Sequence, residues 1–248
     1  YNELCFDNMI YVVGNEQNHH FKVLFSILNK MQFKWSNNLL HLSYGMVNLP
    51  DGKMKSREGN VIDIDDLLET MYSKSKEIIL NSNKSNISSI DQLSVLVGDA
   101  ALKYFILKPD AKKEILFHPE ESIDFNGHTG PFIQYTYARI SSIIEKANNF
   151  KKVFSVKRKL LDEEKSLIKL ILNYPIILDY AATNLNPSIL ANYLYSLSKD
   201  YNHFYQKIPI LSLNDKNDIN FRVTISYKVG NLISKGMNLL GIKVPIKM

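Results

Sequence analysis

The sequence contains little cysteine and no long apolar run, and these two absences exclude several classes of protein. Its 248 residues contain one cysteine, Cys5, which excludes a disulfide framework or a four-cysteine zinc site and is typical of a reducing compartment. No apolar run approaches the roughly eighteen residues of a membrane span, and the first residues lack the pattern of a secretory signal. We therefore expect a globular protein of the cytoplasm that has no membrane partner.

Acidic and basic residues are divided unevenly along the chain. Residues 1–127 hold 13 Lys and Arg against 17 Asp and Glu, whereas residues 128–248 hold 17 against 8, so the halves carry net charges of −4 and +9. A basic excess in one half favours a polyanion-binding domain, with RNA or DNA ahead of membrane, although a solvated basic surface would give the same count. The densest basic segment contains Lys151, Lys152, Lys157, Arg158 and Lys159.

The first half has the order of elements that is typical of a doubly wound α/β fold. The apolar run "MIYVV" at 9–13 predicts a buried parallel strand, and a helix over 16–33 and a strand over 39–47 follow. Asp66 with Glu69 three residues later predicts the start of a helix over 66–80. In the first helix, the predicted buried face contains Phe21, Leu24, Leu28 and Met31.

The second half has helical periodicity, which predicts a bundle. The predicted helices span 131–150, 162–182, 187–208 and 218–240. Pro131 and the pair Asn186 and Pro187 are typical helix starts, and Gly241 is a typical residue after a helix end. Pro175 is expected to kink or divide the second of these helices.

The segment "DGKMKSREGN" at 51–60 is a cationic, glycine-flanked loop between a strand and a helix. Lys53, Lys55 and Arg57 suit a mobile clamp on phosphates, because cations stabilise charge that develops on a phosphoryl group. The residues alone support a solvated charged loop equally well. A P-loop, a GxGxxG fingerprint, a kinase catalytic loop and an HExxH helix are missing from the sequence.

The segments around this loop resemble the arginyl-tRNA synthetases, a class I aminoacyl-tRNA synthetase family. The resemblance covers "MIYVVGNEQNHHF", "HLSYGMVNLPDGKMKSREGNVIDIDDLL", "GHTGPFIQYTYARI" and "LLGIKVPIKM". "KMKSR" at 53–57 stands where the family has its KMSKS loop, and it departs from that pattern at Lys55, Ser56 and Glu58. The resemblance implies a Rossmann-type α/β catalytic part over 1–127 and an all-α anticodon-binding bundle over 128–248.

The resemblance also implies roles for residues at the strand ends. It places Gln17 at the arginine pocket, where a helix cap or a plain surface residue is the alternative. It places His20 near the nucleotide, where a packing histidine is the alternative. Backbone groups of Tyr44, Gly45, Met46 and Val47 are expected to contact adenine, or else to be plain strand. The residues that the resemblance assigns to catalysis are Lys53, Lys55, Ser56 and Arg57.

The bundle carries the residues that the resemblance assigns to tRNA. In "FIQYTYARI" these are Gln134, Tyr135 and Arg139, and the C-terminal Met248 joins them. Single-stranded bases are recognised by aromatic and polar side chains. Helical aromatics are more often core, so Tyr137 and Phe204, which lie on apolar stripes, are left out.

The implied reaction joins arginine to an arginine tRNA with ATP as its Mg²⁺ complex. No protein-bound metal is expected, since His19 and His20 diverge on a helix and have no third ligand nearby. None of the six histidines lies in the HxGH context of a class I synthetase, so we expect the C-terminal part of such an enzyme, unable to activate arginine alone. A monomer is expected. The alternative is an RNA-binding fragment without catalysis of its own, and an unrelated ATP-dependent ligase would need a nucleotide motif that the sequence lacks.

Overall fold

The computed structural model describes residues 6–49, 52–53, 63–81 and 90–248, with only the backbone at 49, 52 and 53. The strands are β1 (Met9–Gly14), β2 (Leu39–Tyr44), β3 (Val47–Leu49), β4 (Gly52–Lys53) and β5 (Ile115–Leu116). The helices are α1 (Asn18–Lys30), α2 (Ile64–Asn81), α3 (Ile90–Leu107), α4 (Pro119–Ser122), α5 (Gly130–Ala147), α6 (Asp162–Thr183), α7 (Pro187–Lys207) and α8 (Lys216–Leu239). Within these ranges, no helix is both long enough and apolar enough to cross a membrane.

β1 and β2 form a parallel pair that is joined through α1. Gly14 stands opposite Tyr44, so both strands end at the same edge. α1 packs on one face of the pair, where the ring of Phe21 lies 5.0 Å from that of Tyr11 and stacks at 4.3 Å on that of His41. The predicted β-α-β order of this part is therefore confirmed.

The opposite face of this pair is open. Side chains alternate along a strand, so Ile10, Val12 and Leu40 lie away from α1, and Val12 is 63% exposed. We call these three residues the open sheet face. The predicted parallel strand at 9–13 is confirmed, but its predicted burial is wrong, because nothing in the described ranges packs on this face. Parallel strands are normally covered on both faces.

α1 and α2 also differ in detail from the prediction. Leu24 and Met31, predicted on the buried face of α1, are exposed, because Phe21 and Phe25 are the side chains that turn towards Tyr11. α2 begins at Ile64, and the carboxylate of Asp63 accepts the N–H of Asp65 at 3.0 Å. The prediction of Asp66 as the cap is therefore wrong.

Caps fix the ends of the long helices. The hydroxyl of Thr129 accepts the N–H of Phe132 at the start of α5, and the side chain of Asn186 accepts that of Ser188 at the start of α7. Both predicted starts, at Pro131 and at Asn186, are confirmed. Gly241 has φ +70°, as expected of a glycine after a helix end.

α6 continues through Pro175 as one helix, so of the two expected effects of the proline, a kink or a division, the division does not occur. Tyr174, Ile177 and Leu178 on either side of Pro175 pack against the core, and Pro175 itself is exposed. Packing of the helix on its neighbours therefore outweighs the missing backbone donor of the proline.

Two groups of buried side chains form the core. The bundle cluster contains Ile133, Ile140, Leu167, Leu194, Leu197, Tyr201, Phe204, Val229 and Ile233 from α5 to α8. The α2–α3 cluster contains Leu67, Met71, Leu93, Val97, Ala101, Phe117 and Ile123. Helix α3 belongs to both, because its Ala100 and Tyr104 lie in the bundle cluster. The segment 148–161 that joins α5 to α6, called the strap below, packs four apolar side chains against the bundle cluster: Phe150, Val153, Val156 and Leu160.

Candidate functional site

The shared edge at the ends of β1 and β2 carries Gln17 and His20. Gln17 lies in the 3-10 turn after β1, and His20 lies in the first turn of α1. Nδ1 of His20 donates to Oε1 of Gln17 at 2.6 Å, which leaves Nε2 as an acceptor when the ring is neutral.

The helix-cap alternative for Gln17 and the packing alternative for His20 are not realised, whereas Gln17 is half-exposed and the alternative of a plain surface residue stays open. Gln17 stands at the N-cap position of α1, but its side chain makes no capping bond. His20 is exposed and therefore does not pack in a core. The roles in arginine and nucleotide binding stay predictions, and the geometry leaves both side chains accessible to a ligand.

The segment Tyr44 to Val47 is partly committed to the protein's own contacts. The N–H of Gly45 donates to the carbonyl of Ala111 at 2.7 Å, and the carbonyl of Met46 accepts the N–H of Ile115 at 2.9 Å. A side chain at Gly45 would meet the backbone of Lys113 and Glu114, which explains the glycine. A nucleotide at this edge would therefore have to use the other backbone groups of the segment.

The cationic loop lies mostly outside the described residues. The backbone of Lys53 pairs with that of Asn48 in the antiparallel ladder of β3 and β4. Lys55, Ser56 and Arg57 lie outside the described ranges, so their predicted roles stay predictions. β3 begins three residues after the end of β2, so the chain leads from the end of β2 through β3 towards this loop.

A second group of candidate side chains lies on α5 and α7. The guanidinium of Arg139 lies 4.9 Å from the ring centre of Tyr135 and 4.8 Å from that of Tyr205, and it donates to the side-chain carbonyl of Asn202. Asn202 in turn donates to the hydroxyl of Thr136 at 2.8 Å. These contacts hold a cation between two rings, both at least partly accessible to solvent. We call Tyr135, Arg139 and Tyr205 the stacked face.

The sequence prediction found two members of the stacked face and missed the third. Tyr205 comes directly after the apolar stripe of α7, and 41% of it is exposed. An aromatic residue that lies off the buried stripe, in the basic half of the chain, was the available signal. Its contact with Arg139 spans two helices and could not be derived from spacing alone.

Gln134 and Met248 lie in different surroundings from those expected for tRNA contacts. Gln134 is fully buried, and its amide nitrogen donates to the carbonyls of Leu96 at 3.0 Å and Lys243 at 2.8 Å. Met248 packs against the α2–α3 cluster. Both side chains make contacts between separate parts of the fold, and the buried side chain of Gln134 is not accessible to RNA.

No group of three His, Cys, Asp or Glu side chains that could hold a metal ion is found among the described residues. His19 and His20, the adjacent pair, have ring centres 6.5 Å apart.

Two family matches follow each other along the chain. Residues 1–118 match the family described as tRNA synthetases class I (R), catalytic domain, and residues 133–248 match the DALR anticodon binding domain. Together they define part of a class I aminoacyl-tRNA synthetase. The arginine–tRNA ligase of Flavobacterium psychrophilum is 51% identical over 243 residues, which cover 97% of this chain and 40% of the relative. The chain belongs to the arginyl-tRNA synthetase family.

Solved structures agree with the fold. The chain superposes on arginyl-tRNA synthetase from Thermus thermophilus with a TM-score of 0.86 at 24% identity, covering 98% of this chain and 41% of that one. For the Plasmodium falciparum enzyme the TM-score is 0.78 at 27% identity, with 98% and 41% covered. The chain thus spans about two fifths of the length of the relatives it matches.

Proposed function

We propose that this chain takes part in the ATP-dependent attachment of arginine to its tRNA, with residues 1–127 on the reaction side and 128–248 on the tRNA side. The observation that carries the proposal is the succession of a class I (R) catalytic match and an anticodon-binding match in one chain. Gln17 and His20 at the edge of the parallel pair support it, because doubly wound sheets bind ligands there. We extend it to a Rossmann-type sheet to which β1 and β2 belong.

In the proposed reaction, the carboxylate of arginine attacks the α-phosphorus of ATP, the bond to the β-phosphate breaks, and pyrophosphate leaves. A hydroxyl of the terminal ribose of the tRNA then attacks the carbonyl carbon of arginyl-adenylate, and AMP leaves. No protein nucleophile is needed, so positioning and electrostatic stabilisation account for catalysis. We assign charge stabilisation to Lys53, Lys55, Ser56 and Arg57, and arginine binding to Gln17.

ATP is proposed to bind as its Mg²⁺ complex, with the Nε2 atom of His20 and the uncommitted backbone groups of Tyr44 to Val47 around the nucleotide. The metal would arrive with its substrate rather than on protein ligands. We further propose that the protein is a monomer and acts in the cytoplasm.

On the tRNA side, the stacked face is proposed to receive unpaired anticodon bases. Planar bases stack on tyrosine rings and guanidinium planes, and the bonds to Asn202 hold Arg139 ready for that contact. Gln134 and Met248 stay outside this assignment, because both side chains serve contacts within the fold.

The test is a fluorescence titration of the 248-residue chain with an arginine tRNA and with a tRNA of unrelated anticodon. We expect tighter binding of the arginine tRNA, and for both tRNAs a steep loss of affinity between about 50 and about 200 mM salt, because binding releases counterions. Equal affinities would contradict the anticodon assignment, and no binding at either salt concentration would contradict the tRNA function altogether.

The second candidate is an RNA-binding fragment without catalysis of its own. The open sheet face favours it, since a parallel pair with one bare apolar face is an incomplete sheet. Arginine-dependent pyrophosphate exchange by the 248-residue chain alone, clearly above background, would rule this second candidate out.

A further inference from the structure

The strap is held along α8 by its backbone. The N–H of Lys151 donates to the side chain of Asn220 at 3.3 Å, and that of Val153 donates to the hydroxyl of Thr224 at 2.9 Å. Asn220 and Thr224 are one helical turn apart, so alternate N–H groups of the extended strap follow successive turns of α8. The strap leaves α5 through Asn148 and Asn149, both with positive φ, which asparagine tolerates better than most residues.

The far end of the strap is fixed by charge. Arg158 donates two hydrogen bonds to the carboxylate of Glu164, at 2.7 and 2.8 Å, and a third to Asp218 at 2.8 Å. Glu164 is fully buried and also accepts from Arg222. Bidentate pairs of this kind fix geometry. The strap is therefore anchored at both ends, and its backbone between the anchors is held beside α8.

Those positions bring cations and aromatic rings together. Nζ of Lys152 lies 4.4 Å from the ring centre of Tyr227, and Nζ of Lys228 lies 5.6 Å from that of Phe154. Phe154 is 69% exposed, the highest value among the large apolar residues of the described ranges. We call Lys152, Phe154, Tyr227 and Lys228 the strap patch.

The strap patch carries positive charge that the described part of the protein does not neutralise. Within the described ranges, no carboxylate lies within ion-pair distance of Lys151, Lys152, Lys157, Lys159 or Lys228. The charge of Arg158, in contrast, is neutralised by ion pairs with Glu164 and Asp218. Cations beside an exposed ring match the chemistry of single-stranded nucleic acid, in which phosphates alternate with bases that stack.

We propose that the strap patch is a second RNA-binding surface, separate from the stacked face, which holds backbone phosphates with Lys152 and Lys228 and stacks an unpaired base on Phe154. The proposal rests on the proposed tRNA function of residues 128–248. The patch contributes affinity without selecting an anticodon, because phosphates and ring faces are common to all RNAs.

The test uses the whole 248-residue chain with three probes: bulk tRNA, a single-stranded oligouridine and a blunt RNA duplex. The double variant Lys152→Gln, Lys228→Gln removes two charges at the strap patch. The double variant Lys169→Gln, Lys235→Gln removes two exposed charges elsewhere on α6 and α8 and serves as the control. Phe154→Ala removes the ring alone, and circular dichroism checks that each variant keeps its helices.

We expect the strap-patch double variant to lower the slope of log affinity for tRNA against log salt by about 2, since each phosphate contact contributes about 0.9. The control variant should change it much less. Phe154→Ala should weaken oligouridine binding roughly fivefold or more and leave duplex binding unchanged, because a paired base cannot stack on it. Equal changes in both double variants, or an equal effect of Phe154→Ala on both oligonucleotides, would overturn the proposal.

Vesicles of phosphatidylserine and phosphatidylcholine provide the last arm. Vesicle binding that depends on the strap patch, together with tRNA binding that does not, would assign the surface to anionic lipid and overturn the proposal. If the unaltered chain bound no tRNA, the proposed tRNA function would fail instead. If the unaltered chain bound tRNA and the strap-patch variants bound like the control, only the second surface would fail.

Discussion

Arg139 is the residue whose environment most directly suggests a use. Its guanidinium lies between two tyrosine rings and bonds to Asn202, so it is already ordered before a base arrives. Binding to a preordered group loses less conformational entropy than binding to a free side chain. A selective contact at this position therefore requires little rearrangement of the protein.

We expect Arg139→Gln or Tyr205→Ala to weaken binding of an arginine tRNA by about tenfold, the free energy of about one stacked base. Binding of a tRNA with an unrelated anticodon should change little. The paired substitution Lys157→Gln, Lys159→Gln is the comparison, since phosphate contacts should be lost equally for both tRNAs. Filter binding with both tRNAs measures the difference, and equal losses for every variant would show that the stacked face holds phosphate only.

His128 makes the stability of the fold depend on pH. Its ring stacks on Tyr195 at 3.7 Å, and Nε2 is buried without a hydrogen-bond partner in the described ranges. Burial, and to a lesser extent the positive charge of Lys108, lower the pKa of His128 from 6.5 to about 4. Between these values the unfolded chain binds more protons than the folded one, so the free energy of unfolding falls as the pH falls through this window.

We therefore expect the free energy of unfolding to drop between pH 7 and pH 4.5, with roughly 1–2 kcal/mol of the drop due to His128 after allowance for its partial solvent contact. His128→Phe keeps the stack on Tyr195 and should show a smaller drop by that amount. Urea unfolding of both proteins at several pH values gives the comparison. Parallel curves would mean that His128 is not the group that titrates.

At the scale of single residues, the sequence shows which side chains are aromatic or basic, but it does not show which of them are buried or what they contact. The aromatic and basic character of Tyr135 and Arg139 is visible in the sequence, and the structure places these side chains together with Tyr205. The burial of Gln134 could not be foreseen, because its acceptor carbonyls, at Leu96 and Lys243, are 38 and 109 residues away along the chain. Such partners are set by the packing of whole helices.

At the scale of elements, Gly130 at the start of α5 allows a close approach to the backbone of α3. A side chain at Gly130 would meet the backbone of Ala100, with the carbonyl carbon only 2.8 Å from the added carbon atom. A backbone cannot move aside as a flexible side chain can, so the two helices would have to separate.

We expect Gly130→Ala to lower the free energy of unfolding by about 2–3 kcal/mol through this overpacking. Gly127→Ala is the matched control, since the nearest atoms to its added carbon belong to the side chain of Asp124 and not to a backbone. Urea midpoints of the two variants give the test. A Gly130→Ala protein as stable as the control would show that α3 and α5 can separate at little cost.

Helix positions followed from the sequence wherever a cap and an apolar stripe agreed. α5, α7 and α8 begin and end within three residues of their predicted bounds. The prediction failed where no described element packs on a strand face. The apolar run at β1 suggested burial, but Ile10 and Val12 are exposed to solvent. An apolar run predicts that a strand face is favourably covered by other apolar side chains. It does not show which part of the chain supplies those side chains.

At the scale of the whole molecule, the open sheet face and the missing HxGH motif lead to the same expectation. The purified 248-residue chain should give arginine-dependent pyrophosphate exchange at background level, with or without arginine tRNA. The cations of the 51–60 loop would have no opposing half of an ATP site to act with. The Flavobacterium psychrophilum relative is the positive control, and exchange clearly above background would overturn the expectation and favour the enzyme over the binding fragment.

Helix α3 has a consequence for how the molecule melts. Its Val97 and Ala101 are buried in the α2–α3 cluster, and its Ala100 and Tyr104 are buried in the bundle cluster. The hydroxyl of Tyr104 also donates to the carbonyl of Ala191 in α7. Neither cluster can lose this helix without uncovering the other to water. Heat should therefore be absorbed in a single calorimetric peak that covers both clusters, with α3 as the thermodynamic link between them. Two separate peaks would show that the clusters melt independently.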